Sequence, residues 1–105
     1  MHLTLSPMRR SDRLNLHRAG DVLTINGVVY DFGPLPDGAT LPREAVECDW
    51  LASDIERIGG VLHLTLMLPH GTAAPDETLF PTPLDLTRDG PVGLPPYETE
   101  IADAD

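Results

Sequence analysis

Residues 22–32 read Val22-Leu23-Thr24-Ile25-Asn26-Gly27-Val28-Val29-Tyr30-Asp31-Phe32, two apolar, β-branched runs that meet at Asn-Gly. Both central residues of a tight hairpin turn need positive φ. Glycine adopts it freely and Asn tolerates it, so Asn-Gly between such runs is a strong hairpin signal. On the N-terminal side Leu14 and Leu16 alternate with Asn15 and His17, and Ala19-Gly20-Asp21 supplies a turn. Residues 13–32 therefore read as a three-stranded antiparallel meander.

The period of two recurs along the chain, marking strands with one buried face. It is present in His2-Leu3-Thr4-Leu5 and again in Leu84-Asp85-Leu86-Thr87, which ends at Asp89-Gly90-Pro91. A second hairpin is predicted where Asp54–Ile58 and Val61–Leu68 flank Gly59-Gly60. In its return strand Leu62, Leu64, Leu66 and Leu68 share one face, opposite Val61, His63, Thr65 and Met67. An apolar face of that length needs a second sheet layer or a partner chain against it. His-Leu-Thr-Leu stands at both 2–5 and 63–66, too short a match to count as a repeat.

Between the hairpins, residues 33–42 read as an irregular loop. Pro42 to Val46 fits one helical turn, while the alternation of Val46, Cys48 and Trp50 fits a short strand equally well. From Pro69 to Pro83 the chain reads mostly as loop. The expected fold is all-β: a small antiparallel sandwich or partly open barrel of about 6–7 short strands, with long Pro/Gly-rich loops and at most one helical turn. Residues 1–96 form a single β-rich domain, and residues 97–105 an acidic tail expected to be disordered unless something docks it.

The 105 residues leave room for one core. Aromatics are few, so that core must be chiefly Leu, Val and Ile. Net charge is −10, split as +3 over residues 1–20 and −13 over the rest, with no lysine. The absence of lysine fits a GC-rich coding sequence. An acidic body repels phosphate backbones and anionic lipid, which speaks against nucleic acid and membranes as partners. No stretch nears the ~20 apolar residues of a membrane span, and the N-terminal run lacks the pattern of a signal peptide. A soluble, non-exported protein is expected.

Candidate chemistry is sparse. The four histidines, His2, His17, His63 and His70, and Cys48 are the candidate metal ligands, and strand placement allows His17 and His63 to be neighbours in one sheet. No His-x-His, His-x-x-x-His or Cys-x-x-Cys spacing joins them, so no metal and no cofactor is expected. Cys48 has Glu44, Glu47 and Asp49 close by in sequence, which disfavours the thiolate a nucleophile needs. Beside Trp50 it reads as a small hydrophobe. Ser6, Ser11 and Ser53 carry no nucleophile motif. The pairs Asp76/Glu77 and Glu98/Glu100 follow from acid density, and no glycine-rich phosphate loop is present. The chain reads as a non-enzyme without a small-molecule substrate. Its expected contact surfaces are the segment carrying Arg9, Arg10, Arg13 and Arg18, and the 69–83 loop with His70 and Phe80. Two alternatives are a metal-binding enzyme or ligand-binding β-barrel using His17, His63 and His70, and an acidic decoy that mimics nucleic acid.

One further pattern runs through Leu23-Thr24-Ile25-Asn26-Gly27, Leu35-Pro36-Asp37-Gly38-Ala39, Glu56-Arg57-Ile58-Gly59-Gly60, Leu68-Pro69-His70-Gly71 and Phe80-Pro81. Taken together these residues resemble a group of small proteins encoded among the late tail and host-contact genes of tailed phages and prophages. The resemblance covers residues 1–96 and carries no functional residue with it. It implies a structural or binding module of the tail or its distal tip, found in the virion after assembly in the host cytoplasm. Its partners would be other tail or virion proteins, or copies of itself. A tail-assembly factor absent from the virion is the alternative.

Overall fold

A computed structural model describes residues 1–97. Its strands are β1 (His2–Arg9), β2 (Leu16–Ala19), β3 (Val22–Ile25), β4 (Val28–Asp31), β5 (Thr40–Leu41), β6 (Ile55–Ile58), β7 (Val61–His70), β8 (Leu84–Asp85) and β9 (Gly90–Pro91). They form two sheets, ordered β5-β6-β7-β1-β8 and β4-β3-β2-β9, and neither closes into a barrel. The protein is mainly β, as its alternating sequence requires.

The meander forms where Asn-Gly places it. Asn26 has φ 49° and Gly27 φ 84°, the two positive angles of a type I′ turn, and Ile25 faces Val28 across it. Asn26 also ties down the chain that enters β2. Its Oδ1 accepts the Asn15 N–H at 2.7 Å, and its Nδ2 donates to the Arg13 carbonyl at 3.0 Å. The second hairpin closes at Gly59 (φ 57°) and Gly60 (φ 80°), with Ile58 against Val61.

One expectation is overturned at the centre of the larger sheet. β1 and β7 run parallel, whereas every other strand pair is antiparallel. The two His-Leu-Thr-Leu strings lie side by side in register, His2 against His63 and Leu5 against Leu66. Parallel neighbours need a long crossover. Here the chain builds β2, β3 and β4 in the other sheet before returning through β5 and β6. Both strands turn their leucines to the same inner layer, so burial favours the pairing and fixes its register.

β7 extends to His70, further than the proline at 69 suggests. Thr65 O and Met67 N–H bond outward to Ala52 N–H and Trp50 O, so odd residues of β7 face away from β1. The N–H that Pro69 lacks falls on that outer side, past Trp50, where no ladder bond is lost. Within the remainder of the 69–83 segment, Asp76–Leu79 forms one helical turn. Arg43–Ala45 is a 3-10 turn, and Leu51 rather than the Val46–Trp50 alternation bridges to β7, opposite Leu66. Gly90–Pro91, read from sequence as a strand end, is itself a strand paired with β2.

The layers share one aliphatic core. Leu3, Leu5, Ile55, Leu62, Leu64, Leu66 and Leu68 from the larger sheet meet Leu16, Leu23 and Ile25 from the smaller, with Phe32 and Trp50 between. Each such side chain contributes roughly 1.5–3 kcal/mol on burial. At one end the layers are clamped by Arg57, only 11% exposed. Its guanidinium donates to the Leu35 carbonyl at 2.6 Å, to the Phe32 carbonyl at 3.0 Å and to Asp21 at 3.0 Å. At the other end Tyr97 is bound into the domain, its hydroxyl donating to the Arg10 carbonyl and its carbonyl accepting the Gly71 N–H. The acidic tail expected from residue 97 thus begins with a docked residue, and residues 98–105 lie outside the described residues.

Candidate functional site

The contact residues expected from sequence divide between three places. β1 and β7 end together, which sets Arg9 opposite His70, and the Arg10 N–H continues the ladder to the His70 carbonyl. Arg10 and Arg13 join them there but are engaged within the chain. The Arg10 guanidinium lies 4.0 Å over the Trp50 ring and 3.0 Å from Asp12. Arg13 stacks 3.6 Å over Tyr97. These contacts hold cationic side chains flat against aromatic faces. Arg9 is exposed and makes no side-chain hydrogen bond or ion pair among the described residues.

Arg18 belongs elsewhere. It sits on β2, donates to the Gly20 carbonyl at 3.0 Å and faces Asp89 at 3.9 Å. Phe80 follows the helical turn and is 78% exposed, so its ring projects from the surface. Thr78, by contrast, is buried, with its hydroxyl on the Pro96 carbonyl.

The histidines do not assemble as expected. His17 is on β2 of the smaller sheet and His63 on β7 of the larger, so they are not neighbours. His70 Nδ1 donates to the Gly71 carbonyl at 2.9 Å. Among the described residues, no three His, Cys, Asp or Glu side chains converge on a common point. The neighbour of His63 is His2, a pairing that the sequence reading did not make.

The feature that sequence reasoning missed is the free edge of β4. The Phe32 N–H reaches the Asp21 carbonyl, so Phe32, Tyr30 and Val28 direct their backbone groups toward β3. By alternation, Val29 and Asp31 direct theirs outward, and among the described residues β4 has no second neighbour in its sheet. Val28 is 53% exposed and Val29 64% exposed. The other edge strands span two residues each, and β9 carries a proline, the usual protections of a sheet edge. β4 has neither, and it is the longest edge strand of the two sheets.

Beside this edge runs an open groove of about 840 Å³, whose far wall is the 43–51 segment. Val28, Tyr30, Val46 and Cys48 line it with Trp50, and Glu44, Glu47 and Asp49 rim it together with Arg43, which lies 3.9 Å from Glu44. The Tyr30 hydroxyl spans the gap to donate to the Glu47 carbonyl at 3.0 Å. Burial, the nearby Cys48, and the carboxylates of Asp49 and Glu47 push the Tyr30 phenol up to about 12. The groove is thus apolar within, and three carboxylates against one guanidinium leave its rim acidic on balance. It suits an extended, basic chain segment better than a small anionic molecule.

No protein-family profile matches the chain, nor does any curated protein sequence or any solved structure.

Proposed function

We propose that this chain is a protein-binding module of a tailed-phage particle, a component of the tail or its distal tip that acts through protein–protein contacts. The observation that carries the binding reading is the unprotected β4 edge. Outward backbone groups at Val29 and Asp31 offer a ladder to an added strand, and Val28 and Val29 offer it side-chain contacts. The acidic rim of Glu44, Glu47 and Asp49, on a chain of net charge −10, selects an extended segment bearing Arg or Lys. The phage setting rests on the sequence resemblance. In this reading Arg9, His70 and Phe80 form secondary contacts at the domain's other surfaces, and the chain binds without a catalytic step.

Mass spectrometry of purified particles tests the setting. The chain is expected at a fixed ratio to the other tail proteins. Its absence from particles overturns the structural role and favours an assembly factor that leaves before maturation.

A further inference from the structure

The turn that closes the meander is also its most reactive point. An Asn side-chain amide is open to attack by the backbone nitrogen of the next residue. A glycine there, with no Cβ, leaves that nitrogen unhindered. The chain has two asparagines, Asn15 before the bulky Leu16 and Asn26 before Gly27. Asn26 is exposed, and nothing lies within 4 Å of where a Cβ on Gly27 would stand. Solvent therefore reaches the Asn26–Gly27 linkage freely.

Two features of the fold hold the reaction off. Ring closure joins the Gly27 nitrogen to Asn26 Cγ, which requires that nitrogen and Cβ on the same side of the Cα–C bond. Asn26 has φ 49° in a type I′ turn, where ψ at this position is about +30°, and there the two stand nearly opposite. The amide is also pinned. Its Oδ1 accepts the Asn15 N–H at 2.7 Å and its Nδ2 donates to the Arg13 carbonyl at 3.0 Å. Both partners lie on the segment entering β2, so the side chain reaches the reactive geometry only when the meander opens.

We propose that Asn26 is a self-modification site gated by the fold, held unreacted in the closed meander and converted to aspartate and isoaspartate when the meander opens. The Gly27 nitrogen loses its proton to solvent and bonds Cγ, and the Cγ–Nδ2 bond breaks as Nδ2 leaves in ammonia. Water then opens the ring, at Cγ to give isoaspartate's isomer Asp, or at the backbone carbonyl to give isoaspartate. One water is consumed, one ammonia is released, and nothing is oxidised or reduced. The product cannot rebuild the turn. Its carboxylate has no N–H for the Arg13 carbonyl, and isoaspartate adds a carbon to the backbone between Ile25 and Val28, whose pairing closes the hairpin. A chain that has stayed open is thereby marked. The site does not rest on the docking role of β4.

Incubation of the full chain at mildly alkaline pH, native and in concentrated urea, tests this by mass spectrometry. Cleavage after Arg18 and Arg43 isolates residues 19–43, in which Asn26 is the one amide side chain. The unfolded chain is expected to convert at Asn26, and the native chain about 10-fold more slowly, the usual combined strength of two hydrogen bonds. In urea, where folding plays no part, Gly27→Ala slows the conversion by crowding the attacking nitrogen. Folded Asn26→Asp melts below wild type in circular dichroism. Equal rates in native and unfolded chains overturn the gating, and an unfolded chain that keeps its Asn26 amide overturns the site. An Asn26→Asp chain that melts with wild type overturns the marking.

Discussion

At the residue scale, three polar side chains do work that an aliphatic core cannot. Arg57 joins the layers through carbonyls of Leu35 and Phe32 and the carboxylate of Asp21. Removing it strands these acceptors, so Arg57→Ala is expected to lower unfolding stability by about 2–3 kcal/mol in urea titrations. Arg57→Lys recovers only part of that loss, because an ammonium cannot match the planar fork. Asn26 combines a positive φ with side-chain bonds to residues 13 and 15. Asn26→Gly keeps the turn and loses the bonds, whereas Asn26→Ala loses both. The melting temperature should therefore fall in the order wild type, Asn26→Gly, Asn26→Ala. Tyr30 sets a pH limit. Its phenol is raised from 10.0 to about 12, so above pH 10 the folded chain keeps a proton that the unfolded chain releases. Its contribution to stability is complete below pH 10 and declines as pH rises toward 12. Denaturation midpoints across that range should fall more steeply for wild type than for Tyr30→Phe.

At the scale of elements, what could be read from the sequence was what is local. Asn26-Gly27 and Gly59-Gly60 specify their turns chemically, and alternation by two specifies the flanking strands and the buried face of β7. The pairing of β1 with β7 has no local signature, since its partners lie far apart in sequence. Only the matching His-Leu-Thr-Leu strings pointed to it, and four shared residues are weak support until a structure puts them in register. That missing register is also why His17, and not His2, was set beside His63. β8 and β9 are two residues each and exist as strands only through β1 and β2. The free edge of β4 was equally hidden, because edge or centre is decided by neighbours and not by Val28-Val29-Tyr30-Asp31 itself. Leu66, fully buried on β7, tests the core that these elements share. Leu66→Ala is expected to cost about 2–5 kcal/mol, read from the urea midpoint.

At the scale of the whole molecule, the two ends and the β4 edge differ in character. The Arg57 end is closed by half-buried hydrogen bonds. The opposite end is closed by Tyr97, under Arg13 and on the Arg10 and Gly71 backbone. Much of the N-terminal arginine cluster is consumed in that closure, which moves the expected contact surface from the arginines toward β4. Competition for incorporation tests the proposed docking of the β4 edge into a phage particle. Val29→Pro removes an outward N–H without touching the β3–β4 ladder, so it blocks strand addition while sparing the fold. When wild-type and Val29→Pro chains are supplied in equal amounts during assembly, quantitative mass spectrometry of the particles should find the wild type and almost none of the variant. Equal incorporation of both chains, or of neither, would contradict the account.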